Sequence, residues 1–396
     1  MANILCVWEL GSNLGHLTNL KLFIDSALAN GHSVTLAARE LQNVRTIIDS
    51  AEVRIFQAPY LRKKQRRGLP PIISYPQLVL RQVFGSEQEL EGLYLAWNSI
   101  FDAVEPDLVI YDHSPTALVA SLGKSWTKWV VGSGFLVPRG GHKFFGVFPD
   151  TPQTPENDQR LAASEKSLLN IINSVLEKQA GHEIECFEAC FKQCEEQLFL
   201  TIPELDHYGE RAKGSYLGVK HLTGGTAPSW PEPSAHRAGP KIFLYVSDVM
   251  NVSALLGQLV KSGSRLLVYG RELSPDMLKK YQNAVHFSSS PIDLQAVWKQ
   301  ADYFINHGNH GSALQAFVAG VPQLMIPTHQ EQLMFAKRIE MNGRGVIASM
   351  DQKDFTASIE KLFSLRRKVV RLKQSGLEVK DGINQKIELL FKSYQL

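Results

Sequence analysis

The feature that most constrains this chain is the alternation, in two separate blocks, of short apolar runs with longer stretches of helical periodicity. In the first block the runs fall at 4–8, 34–37, 53–57, 108–111, 129–131 and 197–201. Runs this short and apolar suit parallel strands buried on both faces. Helical patterns lie between them, at 17–29, at 75–104, and over 159–197 with an expected break near Gly181. The second block restarts the alternation at 242–246, 265–269, 285–287, 303–305 and 323–326. Between the blocks, residues 223–240 hold four prolines in eighteen positions and break both periodicities, so an interdomain linker is expected there. The pattern predicts an α/β protein of two Rossmann-like, doubly wound domains facing across a cleft, spanning 1–222 and 241–396. This scheme leaves the last helix free to pack back on the first domain.

Composition narrows the class. A chain of 396 residues is too long for one average core, which agrees with two domains. With 44% hydrophobic and 20% charged residues it reads as globular, not disordered. A net charge of +3 leaves no electrostatic footprint for nucleic acid. The start, MANILCVWELG, has no basic region before its apolar run, and no apolar stretch approaches the roughly 20 residues that span a bilayer. A cytoplasmic protein is expected. Cys186, Cys190 and Cys194 recur every four residues after His182, a spacing that would line them along one helical stripe as small buried apolar groups. Metal ligation there and a disulfide framework are the weaker readings.

Residues 302–345 carry most of the chemistry. A strand-like run ends at Ile305, the turn His307-Gly308-Asn309-His310-Gly311 follows, and a helix opens near Ser312. A helix start leaves backbone N–H groups unpaired at the positive end of its dipole and attracts phosphate. Gly308 and Gly311 allow close approach to such an anion, and Ser312 and the imidazoles can add donors. Beyond the next strand, Glu331-Gln332 can reach hydroxyls on whatever the phosphates carry. The segment reads as a nucleotide-sugar site. His307 and His310 could instead form a metal pair at i, i+3, but no third ligand stands at a suitable spacing.

The run HGNHGS, then Gly320-Val321-Pro322, Pro327 and Glu331-Gln332, resembles the donor-binding segment of two-domain (GT-B) glycosyltransferases. The similarity is to the inverting, nucleotide-sugar-dependent enzymes that glycosylate small molecules and lipids. It implies a UDP- or TDP-sugar donor and a small-molecule, lipid or other hydroxyl acceptor. It assigns His307, Ser312 and the backbone from Gly308 through Asn309 and His310 to Gly311 to the diphosphate, and Glu331 and Gln332 to sugar hydroxyls. Two positions depart from the pattern. Gln315 stands where a ribose-binding Glu is usual, and Phe335 where an Asn is common. Ser290, in the loop Ser290-Pro291-Ile292-Asp293-Leu294, falls where that family packs backbone against the nucleobase; a plain helix start, with serine capping and proline in the first turn, remains open.

The first-block candidates are His16 and Asp112. His16 stands where the first helix begins, and an imidazole can accept a proton at neutral pH. By the resemblance it is the catalytic base. Asp112 ends a strand and could orient that ring, or else cap the helix expected at Pro115; His113 is a further candidate. A dinucleotide fold is disfavoured, because Gly11 and Gly15 form no G-x-G-x-x-G. No D-x-D occurs, so a metal-independent reaction without cofactors is expected. The basic run 62–67 reads as a solvated loop, with an anionic acceptor or a membrane surface as alternatives. The basic residues Arg366, Arg367, Lys368, Arg371 and Lys373 are expected on a helix near the C-terminus. The same fold could serve a non-hydrolysing nucleotide-sugar epimerase or a non-catalytic nucleotide-sugar-binding subunit.

Overall fold

The computed structural model describes every residue except 12–13, 64–67, 141–142, 212–213, 221–223, 234–237, 247–251, 271–273, 366–379 and 395–396. Most of the basic run 62–67 and the basic positions 366–373 therefore lie outside the described residues. The chain forms two compact units, Met1–Ile202 with Arg211–Gly218 and Asp381–Leu396, and Pro203–Glu210 with Val219–Lys380.

The first unit is built on β1 (Asn3–Trp8), β2 (Ser33–Ala38), β3 (Arg54–Gln57), β4 (Leu108–Asp112), β5 (Thr127–Gly132), β6 (Glu196–Phe199) and β7 (Ser215–Tyr216). Its sheet has the order β3-β2-β1-β4-β5-β6-β7, with all neighbours parallel. The second unit holds β8 (Lys241–Val246), β9 (Arg265–Gly270), β10 (Val285–Ser288), β11 (Tyr303–Asn306), β12 (Gln323–Met325) and β13 (Gly345–Ile347). Its sheet runs β10-β9-β8-β11-β12-β13, again all parallel. Each expected apolar run forms a strand, because a strand covered on both faces needs apolar residues at every position. In both sheets strand order reverses at the first strand, between β1 and β4 and between β8 and β11. Doubly wound sheets bind ligands at such switch points, outside the carboxyl ends of the strands.

Three expectations are corrected. The helix expected over 75–104 is two helices, Tyr75–Gln82 and Glu87–Val104, because Ser86 starts a new one by accepting from the Glu89 N–H at 3.3 Å. The helix expected over 159–197 does break at Gly181, at φ +68°, as expected, but it runs Pro155–Ala180 and beyond the break only the short Ala189–Lys192 is helical. The three cysteines therefore share no helical stripe. They are free thiols, with Cys190 and Cys194 buried, and no cluster of three or more metal-ligating side chains exists among the described residues. Third, residues 224–233 do not hang free as a linker but belong to the second unit. Thr226 exchanges backbone bonds with Pro291 and Asp293 at 2.9 Å, and Trp230 Nε1 donates to Gln300 Oε1 at 3.0 Å.

The helix Lys380–Ser393 packs on the first sheet, placing Ile383, Ile387 and Phe391 in a core shared with Ile4, Ile110 and Trp129. The Phe391 ring lies 5.1 Å from that of Trp129 and 5.8 Å from that of His32. Phe391→Ala should cost about 3–5 kcal/mol, since a buried aromatic leaves a cavity that its neighbours only partly fill. A urea melt shows this as a lowered midpoint for the first unit; an unchanged midpoint would mean the helix contributes nothing. No helix among the described residues is long and apolar enough to cross a membrane.

Candidate active site

In the first unit, Trp8 and Asp112 are register partners at the carboxyl ends of β1 and β4, at the switch point. The helix Gly15–Ala29 starts beside them and presents His16 from its first turn. His16 Nδ1 lies 2.8 Å from Asp112 Oδ1, the ring stacks on Trp8 at 5.1 Å, and its side chain is 14% exposed. Asp112 is fully buried, and its other oxygen accepts from Asn19 Nδ2 at 3.3 Å. A carboxylate on Nδ1 selects the tautomer protonated there and puts the basic lone pair on Nε2. That atom sits over Gly11, where an added Cβ would stand 2.3 Å away and φ is +94°, so a side chain at position 11 would strain the backbone and push the imidazole aside.

Asp112 does not cap the following helix, Pro115–Ala120. That task falls to Glu9, whose carboxylate accepts from Thr116 N at 2.7 Å, Thr116 Oγ1 at 2.6 Å, Trp97 Nε1 at 2.9 Å and Ala117 N at 3.2 Å. Burial pushes Glu9 up to about 7 against the pull of these donors. His113 takes φ +46°, a left-handed conformation uncommon outside glycine, and is buried. Burial, then the nearby His16 and Arg39, hold its imidazole well below the ordinary histidine range.

In the second unit, the turn at His307 leaves β11 at the other switch point. Asn306 is buried and anchors it: Gly308 N donates to Asn306 Oδ1 at 2.5 Å, while Asn306 Nδ2 donates to Gln323 Oε1 at 3.0 Å. Gln323 Nε2 continues to the Ala313 carbonyl at 2.8 Å, so one amide chain ties β11, β12 and the helix His310–Val318 together. Gly308 has φ +81°, and a Cβ there would stand 2.9 Å from the Gln332 carbonyl. The helix has Asn309 at its N-cap but no side-chain cap, because Asn309 Oδ1 accepts from Gln332 Nε2 at 2.7 Å instead. Gly311 is exposed, with open space around its Cα. The first turn thus offers uncapped N–H groups at an open surface.

The remaining expected donor residues divide. His307 is buried on this turn, and burial, with a smaller push from His329 and against the pull of a bond with the Ile326 backbone, keeps its imidazole below the ordinary range. Ser312 Oγ donates to Asn309 O at 3.5 Å. Glu331 is partly exposed in the first turn of the helix Gln330–Met341. Gln332 is mostly engaged by the framework, its Oε1 accepting from Thr328 N and Oγ1 at 2.8 and 2.9 Å. Three readings change in detail. The His310 imidazole packs inward on Phe335 at 4.7 Å and His207 at 5.7 Å, leaving its backbone, not its ring, at the turn. Gln315 is buried with both ends occupied, Nε2 on the Lys220 carbonyl at 3.0 Å and Oε1 near Trp298 Nε1 at 3.4 Å. Ser290 is exposed and caps nothing; Asp293 caps the helix Leu294–Gln300.

Sequence reasoning missed Glu9, Asn19, Asn306 and Gln323. Asn19 carried a usable signal, three residues after His16 and so on the same helix face. Asn306 and Gln323 are amides beside apolar runs, and such groups need buried partners.

His113 and His310 both stay neutral because burial penalises their charged forms. Their contribution to stability is full above the unfolded value near 6.5 and falls as pH drops below it, where only the unfolded chain takes up the protons. With 13C-labelled histidine, both ring signals should hold still between pH 7.5 and 5.5. A midpoint near 6.5 for either would contradict the assignment.

Comparison with known proteins agrees with this architecture. Residues 255–369 match the model of the erythromycin biosynthesis protein CIII-like C-terminal domain. Glycosyltransferase GtfC of Amycolatopsis orientalis is 35% identical over 71 residues, 18% of this chain and 17% of that protein. The chain matches its curated relatives over less than a third of their length, 17% and 30%. Among solved structures, the glycotransferase of kitacinnamycin superposes with TM-score 0.67 at 15% identity, covering 99% of this chain and 98% of the other. Glycosyltransferase VinC, in complex with dTDP, does so with TM-score 0.57 at 16% identity over 99% and 95%. The chain has the two-domain fold of the GT-B glycosyltransferases, and the stretch that matches the EryCIII-like C-terminal domain lies within its second unit.

Proposed function

We propose that this protein is an inverting glycosyltransferase, moving a sugar from a nucleoside-diphosphate donor to an acceptor hydroxyl. The observation that carries this reading is the buried Asp112 bonded to Nδ1 of His16, at a switch point of the first sheet. His16 Nε2 takes the hydroxyl proton as that oxygen attacks the anomeric carbon, and Asp112 stabilises the imidazolium that forms. On the second unit, the N–H groups of Gly311 and Ser312 and the His307 ring hold the diphosphate and stabilise the charge it gains on leaving. Fixed dipoles in place of a metal make the reaction metal-independent. The dTDP bound to the similar VinC supports a nucleoside diphosphate as a ligand of this chain.

The test is a panel of UDP- and TDP-sugars with candidate acceptors, with and without EDTA, and the anomeric configuration of the product read by NMR. An inverted glycoside formed in EDTA supports the proposal. Retained configuration, or dependence on a divalent ion, contradicts the mechanism. An isomer of the donor made without acceptor would mark an epimerase, and nucleotide binding with no turnover a binding subunit.

A further inference from the structure

We propose that Glu9 is a positioning residue for the His16–Asp112 pair, acting through the backbone on either side of it. This inference rests on the function proposed above. Glu9 is 2% exposed, and its carboxylate is engaged by Thr116, Ala117 and Trp97. Its carboxylate is bonded by the main-chain N–H groups of Thr116 and Ala117 at 2.7 and 3.2 Å. The next residue, Leu10, donates its N–H to the His113 carbonyl at 3.1 Å. Residues 9 and 10 are therefore stapled at three points to segment 113–117, which begins immediately after Asp112. One residue further on, Gly11 lies directly beneath His16 Nε2. Glu9 thus fixes the spacing between the floor under the base and the strand end that carries its carboxylate.

Two details fit a positioning role. The staple closes over His113, whose φ of +46° is a conformation that persists only where the surroundings impose it. Arg39 Nη1 also bonds the Glu9 carbonyl at 2.8 Å, so both ends of the residue are held. Four donors converge on the two carboxylate oxygens, and no neutral side chain of the same shape can satisfy them all. A glutamine must turn its NH2 toward Thr116 N or toward Trp97 and Ala117, which opens the staple at that point.

The test compares Glu9→Gln with the parent, on any acceptor that gives turnover. Expected is a fall in kcat of about 10- to 100-fold, with KM for the donor unchanged, because a displaced base loses alignment without affecting donor binding. In a His16→Ala background the same substitution should cost nothing further, since a residue acting through His16 has nothing left to act on. A second readout needs no turnover. The Nδ1 proton of His16, bonded to a buried carboxylate, should give a downfield proton resonance, assigned by its loss in His16→Ala, that shifts or broadens in Glu9→Gln. Trp97→Phe removes one donor but leaves the backbone staple, and should keep kcat within threefold. If Glu9→Gln does not fold, Thr116→Val removes the hydroxyl's bond to Glu9, and the one it accepts from Trp97 Nε1, while keeping the backbone staple, and should shift the same resonance in the same direction. A folded Glu9→Gln with unchanged kcat and resonance overturns the inference, as does an equal loss of rate with and without His16. Full turnover in His16→Ala would refute the base and leave the resonance to judge Glu9.

Discussion

His16→Ala is expected to lower kcat by about 10²- to 10⁴-fold, the range over which a positioned general base contributes, while leaving the Kd for nucleoside diphosphate unchanged. The reason lies in how the ring is held. Asp112 bonds Nδ1 at 2.8 Å from a fully buried position, and Trp8 supports one face, so tautomer and orientation are set before any acceptor arrives. Asp112→Asn should cost a similar factor, on the order of 10³, because a neutral amide neither stabilises the imidazolium nor enforces the Nδ1 proton. Initial rates, with calorimetric titration of UDP and TDP, measure both effects. Turnover within threefold of the parent in either variant would remove the dyad from the mechanism.

The second large effect concerns the anion turn, where two glycines should behave differently. Gly308→Ala demands a left-handed φ of a residue with a side chain and sets its Cβ 2.9 Å from the Gln332 carbonyl. The turn must shift, and nucleoside diphosphate should bind about 10- to 100-fold more weakly, together with a lowered Tm. Gly311→Ala meets nothing within 4 Å and lies inside a helix, so it should keep or raise Tm, by up to about 1 kcal/mol in stability. Its methyl nevertheless stands where phosphate oxygens would approach the first-turn amides, so affinity should fall with stability intact. Undiminished UDP and TDP binding in Gly311→Ala would show that the diphosphate does not lie there.

How far the sequence reveals this molecule depends on the range of the interaction concerned. Strands such as 242–246 and 303–305 are plain in the sequence because burial on both faces demands unbroken apolar runs. Hydrophobic periodicity does not show the break between the helices at Tyr75 and Glu87, because Val83 and Phe84 are apolar and buried; its local signal is Gly85 and the Ser86-x-x-Glu89 spacing. Residues 345–347 and 215–216 are too short to register as strands. The prolines of 223–240 show that regular structure stops, not that Thr226 pairs with the segment around Ile292. At the site, Asp112 could not be assigned between cap and partner from local sequence, since the rival capping role is filled by Glu9, more than a hundred positions away. His310 and Gln315 lie on a legible helix, but where their side chains point is decided by Phe335, Lys220 and Trp298.

The return of the helix Lys380–Ser393 to the first sheet has a consequence for biosynthesis. The groove that receives Ile383, Ile387 and Phe391 is walled by residues translated far earlier, Trp129 and His32 among them. During translation that groove faces solvent while all of the second unit is made. The first unit therefore leaves the ribosome with an unsealed apolar surface, and a fragment ending before residue 381 would keep it permanently, prone to self-association.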